Sequence, residues 1–382
     1  MFAGLQLRPG SAEEAGMSPD AIQHASGLCS SWVDQDVHKA LCVLVARRGV
    51  VCLHEAYGRL GPGDSPALRL DSIFPMLSIS KSVTATVVMQ LVEQGVIGLT
   101  RPVHEYIPEF RGGAKPLVCV HHLLTHTSGI GGGAPDDDEA ESPVSEDPEA
   151  DEWVLGIARA RLGYEPGAEM RYTGANYVLL GEIVRRATGR LVADLAAERI
   201  FEPLGMNDSS YVLPPEHTAR TIGWNAMPGL ADTASAEFRA QPAPNVGVHS
   251  TAWDIATFGQ AFLNGGTYAG RRVLHPATVA DMTRDQIPGV GANFSIGAYE
   301  RRFAEASWGY GWGVAGSQKW PRWPVFPRGT FSHSGGGGML LWVDPTNEMV
   351  GVYLSICRFS RETFDPLSNS DLFVNAMVAA VE

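Results

Sequence analysis

At 382 residues the chain is about twice a typical domain, long enough for two domains or one large decorated one. Apolar residues make up 45% and charged residues 19%, which excludes wholesale disorder. The balance of 29 basic to 42 acidic residues, a net charge of −13, argues against nucleic acid, whose phosphates need a basic footprint. No apolar run reaches the roughly 18 residues that span a bilayer, so no membrane partner is expected. The N-terminal stretch has neither a basic start nor an apolar core, which predicts a cytoplasmic protein without a signal peptide. Cys29, Cys42, Cys52, Cys119 and Cys357 are odd in number, widely spaced and without a CxxC pair, so free thiols are expected rather than disulfides or a zinc site.

In chain order, Ser18-Pro19-Asp20 predicts a helix start, a capping side chain ahead of proline at the first helical position. Two strand-like runs, Ala40 to Ala46 and Val50 to Ala56, flank Arg47-Arg48-Gly49 and predict an antiparallel hairpin. Ser78 to Gly95 is expected to be helical, with Val83, Val87, Val88, Leu91 and Val92 on one side and small residues elsewhere. Asp136 to Glu152 holds ten carboxylates and no basic residue, the composition of a mobile surface loop. Tyr177-Val178-Leu179-Leu180 runs into Glu182 to Thr188 as a further helix ending at Gly189. Near the C-terminus, Met339 to Val343 and Met349 to Cys357 flank the turn formers Asp344-Pro345-Thr346-Asn347, a second hairpin. A last helix carries Phe373, Val374, Met377, Val378 and Val381 at helical spacing. Strands at both ends of the chain with helices between them predict an α/β sheet domain from 1–75 and 240–382. A mainly helical domain from 76–239 is inserted in it, and the active site lies in the cleft between the two.

The chemistry centres on Ser78-Ile79-Ser80-Lys81, the only S-x-x-K in the chain. On a helix, residues three apart lie about 60° apart around the axis and roughly 4.5 Å along it, so serine and lysine share a face. A desolvated lysine there can lose its proton and act as base towards the serine. The helix N-terminus adds a positive field for a developing oxyanion. Other chemistries fare worse. His122 and His126 are spaced for a helical metal pair beside His121, but no glutamate stands between them as in HExxH. No G-x-S-x-G nucleophile elbow occurs. The acidic stretch lacks the residue order of a calcium loop. Trp308, Tyr310, Trp312, Trp320, Trp323 and Phe326 are either the lining of an acyl pocket or a strand with its covering loop.

The flanks of Ser78-Ile79-Ser80-Lys81 and the motifs that follow resemble the serine β-lactamase and penicillin-binding-protein superfamily, most closely its class C and family VIII carboxylesterase branch. His122-Leu123-Leu124-Thr125-His126-Thr127-Ser128-Gly129 is similar to that family's structural HLLTHTSG signature. Pro166-Gly167 followed by Tyr172-Thr173-Gly174-Ala175-Asn176-Tyr177 resembles its second catalytic motif. Ser250-Thr251-Ala252-Trp253-Asp254, Leu263-Asn264-Gly265-Gly266 and the looser Tyr268 to Leu274 match in turn. His333-Ser334-Gly335-Gly336 stands where the family has its third motif.

The resemblance implies a β-lactamase-like fold, an antiparallel sheet flanked by helices with an inserted helical domain. It implies Ser78 as nucleophile, Lys81 as its base partner and Tyr172 as second general base, and it leaves open which of the two removes the first proton. A phenol beside a lysine can ionise below its usual pKa of about 10, which suits that role. The backbone N–H groups of Ser78 and Gly336 are implied as the oxyanion hole, and His333, Ser334 and Gly335 as substrate-binding residues. No cofactor or metal is implied, the partner is a small-molecule ester, and the oligomeric state stays open. Two departures shift the expectation towards esters. Gly174 replaces the usual asparagine of Tyr-x-Asn, with Asn176 expected in the following turn, and His333 replaces the lysine usual in β-lactamases. The alternatives on the same scaffold are a β-lactamase, a D-amino-acid peptidase or amidase, an acyltransferase, or a non-catalytic binding protein.

Overall fold

The computed structural model describes residues 4–131, 151–228, 231–296, 299–316, 324–357 and 369–382. The acidic stretch therefore lies outside the described residues up to position 150, as do Trp320 and Trp323.

Seven strands form the main sheet: β1 (Arg8–Pro9), β2 (His38–Arg47), β3 (Val50–Gly58), β4 (Gly313–Val314), β5 (Phe331–Gly335), β6 (Met339–Asp344) and β7 (Met349–Cys357). Their spatial order is β1-β3-β2-β7-β6-β5-β4. Both expected hairpins are present, and β7 pairs with β2 to join the two chain ends in one sheet. The sheet is not wholly antiparallel, because β1 joins the edge in parallel register, Arg8 opposite Val50. Pro9, which has no N–H to give, is tolerated at such an edge.

Alternation along β2 shows how the sheet is buried on both faces. Leu41, Val43 and Val45 join one apolar cluster, while Cys42, Leu44 and Ala46 join another. Strands covered on both faces read as continuous apolar runs, which is why this hairpin was visible in the sequence. The first face is covered by α1 (Pro19–Asp34) and α5 (Ser370–Ala379) through Ala25, Cys29, Trp32, Phe373 and Met377. Ser18 caps α1 by accepting from the Ala21 N–H, as Ser18-Pro19-Asp20 predicted. The second face is covered by α4 (Ala252–Leu263), whose first turn is capped by Thr251.

α2 (Ser80–Glu93) and α3 (Ala175–Thr188) lie in the helical part of the molecule. α2 is buried at every position from Ser80 to Leu91. Among its buried polar side chains, Ser82 donates to the Gly311 carbonyl (2.8 Å) and Thr84 to the Pro244 carbonyl (2.5 Å). α3 ends at Gly189, which takes the left-handed conformation (φ 70°) of a helix stop. A small sheet of Glu169–Met170, Gly291–Ile296 and Tyr299–Phe303 has no counterpart among the expected elements. All five cysteines are free thiols. Among the described residues no helix is long and apolar enough to cross a membrane.

Candidate active site

Phe74–Pro75 pairs with His249–Ser250, and this short ladder brings residues 244–250 against the start of α2. The Met76 N–H donates to the Val248 carbonyl (2.7 Å), and the Val248 N–H donates to Ser80 Oγ (3.0 Å). Between these anchors Leu77–Ile79 forms a single 3₁₀ turn leading into α2, so the helix proper starts two residues later than expected. Leu77 sits at φ 49°, an unusual conformation for a bulky residue, and it presents Ser78 at the head of the helix, partly exposed.

Lys81 keeps the i, i+3 relation. Its Nζ donates to Ser78 Oγ at 2.9 Å and to the Asn245 carbonyl at 3.0 Å. It is 1% exposed, and burial lowers its pKa to about 7. A lysine in that state is a proton acceptor near neutral pH, because desolvation disfavours its charged form.

Tyr172 arrives from just before α3. Its backbone is held by the loop of the HLLTHTSG segment: the Arg171 N–H donates to the His126 carbonyl (2.9 Å) and the Thr173 N–H to His126 Nδ1 (3.3 Å). Lys81 Nζ lies 5.1 Å from the centre of the Tyr172 ring. The expectation that its phenol ionises readily is not met. Burial raises its pKa above the ordinary value, with a hydrogen bond to Ser78 opposing the rise. A nearby neutral lysine cannot stabilise a phenolate, so Tyr172 is a phenol and Lys81 the stronger base. Ser78, Lys81 and Tyr172 are thus brought together.

The end of β5 runs beside the Ser78 turn. A Cβ on Gly335 would fall 2.6 Å from the Met76 carbonyl, and one on Gly336 would lie 3.1 Å from Leu77 and run into the Met227 sulfur. His333 is 2% exposed, whereas Ser334 faces solvent. Nδ1 of His333 pairs with the Ser334 carbonyl (2.8 Å), and the ring packs against Tyr172 and Trp308 at centroid distances of 6.1 and 5.6 Å. Burial and nearby Lys81 lower its pKa to about 3, so it is neutral.

Three residues were missed or misplaced by the sequence. Asn176, expected in the turn that follows Gly174, stands in the first turn of α3. Being buried, it accepts from Ser128 Oγ (2.6 Å) and pairs with His126 Nδ1 (3.2 Å). His126, at φ 58° beyond the short helix Val120–Leu124, cannot share a helical face with His122. Its ring lies 4.4 Å from that of Tyr172, and since the Thr173 N–H can only donate to Nδ1, its proton sits on Nε2. Asn245 gave no motif signal at all. Of the aromatic group, Trp308 stands by the site, Tyr310 bonds His121, and Trp312 and Phe326 are core.

A family model described as Beta-lactamase matches residues 30–366. The chain belongs to the beta-lactamase family. Within this family it is 30% identical over 282 residues to Esterase EstB of Burkholderia gladioli, covering 65% of this chain and 70% of that protein. It is 31% identical over 319 residues to Penicillin-binding protein 4 of Amycolatopsis lactamdurans, covering 79% and 77% of the two chains. Its fold is that of a solved family VIII carboxylesterase (TM-score 0.74, 23% identity), with 96% of this chain and 99% of the other covered. This beta-lactamase-family chain is an enzyme of the serine hydrolase superfamily, with esterases and penicillin-binding proteins among its relatives.

Proposed function

We propose that the protein is a serine carboxylesterase of family VIII type, acting on short-chain esters through an acyl-enzyme on Ser78. The observation that carries this is the buried Lys81 Nζ, with its pKa lowered to about 7, in hydrogen-bond contact with Ser78 Oγ. Lys81 accepts the Ser78 proton as Oγ attacks the ester carbonyl. The oxyanion rests on the N–H groups of Ser78 and Gly336, and the close approach of the end of β5 to the Ser78 turn supports that role. The tetrahedral adduct collapses, and the alcohol leaves with a proton passed through Tyr172 from Lys81. Water then attacks the acyl-enzyme, giving its proton to the same pair, and the acid departs with Ser78 restored. Resemblance to EstB supports esters as substrates.

A second reading, a β-lactamase or peptidase, is favoured by the relation to a penicillin-binding protein. The test is a panel of p-nitrophenyl esters with a chromogenic cephalosporin and a D-alanyl peptide, combined with mass spectrometry after phosphonate treatment. Ester turnover with a single adduct on the Ser78 peptide is expected. Exclusive turnover of the cephalosporin or peptide replaces this reading with the second, and an adduct on Ser80 or Ser128 overturns Ser78.

A further inference from the structure

The chain holds eleven methionines, and burial sorts them sharply. Nine of the ten that the structure describes are at most 2% exposed, among them Met76, Met89, Met170 and Met339. Met227 is the tenth. It is half-buried, the only methionine among the described residues open to solvent to that extent. A thioether inside a packed core is shielded from a dissolved oxidant, whereas a reachable one is converted to the sulfoxide. Exposure therefore makes Met227 the methionine that an oxidant selects.

Its place in the fold is an independent observation. A Cβ on Gly336 would run into the Met227 sulfur, and the same point lies 3.1 Å from both Met227 Cε and Leu77 Cδ1. The thioether thus rests on the backbone whose N–H is assigned to the oxyanion, beside the residue that precedes Ser78. The loop that carries it is held in place. The Asn225 side chain accepts from the Met227 N–H (2.9 Å), and the Ala226 N–H donates to Thr233 Oγ1 (2.8 Å). A Cβ on Gly337 would fall 3.2 Å from the Ala226 side chain, so this loop and the end of β5 are packed together. Oxidation turns a methionine from a flexible apolar side chain into a polar one bearing an oxygen. Placed here, that oxygen competes with the oxyanion for the Gly336 N–H and disturbs the apolar contact with Leu77.

We infer that Met227 is an oxidation site that switches the enzyme off: a peroxide converts its thioether to the sulfoxide, and the sulfoxide obstructs the oxyanion position. The step balances with hydrogen peroxide as the oxidant. A sulfur lone pair bonds one peroxide oxygen and the O–O bond breaks. The hydroxide released takes the proton from the new oxygen and departs as water. Sulfur is oxidised by two electrons and the peroxide is reduced. The change is reversible, because methionine sulfoxide reductases return the thioether. The inference rests on the reading of Ser78 as the acylated residue and of Gly336 as an oxyanion donor.

The test treats the full chain with dilute hydrogen peroxide and then with dithiothreitol, which returns sulfenic acids and disulfides to thiols but leaves a sulfoxide in place. Peptide mass spectrometry locates the added oxygen, and p-nitrophenyl butyrate turnover gives kcat/KM before and after. The oxygen is expected on Met227 ahead of the nine buried methionines. In step with it kcat/KM falls at least about tenfold, within the cost of losing one oxyanion donor. The two methionine sulfoxide reductases, one for each epimer, are expected to restore the rate. Met227→Leu keeps the bulk without an oxidisable sulfur, and it is expected to hold its own untreated rate through the same treatment. Oxygen on Met227 with the rate unchanged, oxygen on the buried methionines first, or a Met227→Leu protein that loses as much rate as the parent each overturns the inference and leaves the ester reading intact. If the parent protein does not turn over the ester, the proposed function falls. The rate of phosphonate labelling of Ser78, which draws on the same two N–H groups, then decides the inference in its place.

Discussion

The α-carbon of Gly335 lies so close to the Met76 carbonyl that a methyl on it would fall 2.6 Å from that oxygen. At this point the backbone of β5 packs closely on the backbone of the Ser78 turn, and a side chain at 335 must push them apart. Gly335→Ala is expected to cost about 1–3 kcal/mol in stability, as overpacking does. Its larger effect falls on kcat, because the displaced strand carries the Gly336 N–H away from Ser78. Chemical denaturation and steady-state kinetics on one preparation check both. Unchanged kcat would mean that Gly336 takes no part in holding the oxyanion.

The lowered pKa of Lys81 sets a pH dependence with a definite sign. Below about 7 the amine is protonated and cannot accept the Ser78 proton, so kcat/KM is expected to fall tenfold per pH unit on the acid side. Tyr172, held above the ordinary tyrosine value of about 10, adds no alkaline limb below that pH. Stability follows the same group. Between pH 7 and 10 the unfolded chain carries a proton on Lys81 that the folded chain lacks, so stability rises with pH by up to about 1.4 kcal/mol per unit. Lys81→Met removes that rise, measured by denaturant titration at several pH values. A slope identical in parent and variant would place the folded pKa of Lys81 near its unfolded one.

Lys81 and Tyr172 lie beside Ser78 together, with 5.1 Å between the lysine Nζ and the phenol ring centre. Groups that move the same proton act as a unit, and their losses do not add. Lys81→Ala and Tyr172→Phe are each expected to lower kcat by about a thousandfold or more, and the double variant by little beyond either. Pre-steady-state release of p-nitrophenol separates acylation from deacylation in each. Additive losses would show two independent roles, and near-normal turnover in Tyr172→Phe would remove that residue from the mechanism.

How much of this was legible in the sequence follows from what each feature depends on. The hairpins and the α1 cap depend on local chemistry, continuous apolar runs and a serine ahead of proline, and these are readable without tertiary information. The Ser78–Lys81 pair needs only helical spacing, which survived the 3₁₀ entry to α2. The state of Tyr172 was misjudged because a pKa depends on burial, which no motif reports. Asn245 was invisible because its neighbour Gly174 lies 71 positions away in the chain, and the only trace in the sequence was a glycine where an asparagine was expected. The three short strands around Gly291–Ile296 lacked the apolar alternation that marks a strand over longer runs.

The last prediction concerns charge on the substrate. The sequence offered two reasons to expect esters to be preferred over β-lactams, Gly174 in place of the second-motif asparagine and His333 in place of a lysine. At Gly174 the volume a side chain would take is occupied by the Asn245 amide. His333 remains, and its case is stronger than its residue type alone suggests. Its pKa is lowered to about 3, its ring is buried against Tyr172 and Trp308, and its Nδ1 is engaged with the Ser334 carbonyl. It offers no charge to a carboxylate at any pH where Lys81 is an effective base. A charge-assisted hydrogen bond is worth about 1.5–3 kcal/mol, so its absence costs an anionic substrate roughly 10- to 150-fold. The expected outcome is that kcat/KM for p-nitrophenyl butyrate exceeds that for the p-nitrophenyl hemiester of succinic acid by at least about tenfold, with a chromogenic cephalosporin also disfavoured. Repeating the comparison at high salt sorts the causes, because exposed charges are screened within about 8 Å at physiological ionic strength while a missing buried partner is not. A preference that disappears at high salt would assign it to surface charge instead of His333, and equal turnover of the two esters at all salt concentrations would show that His333 does not discriminate.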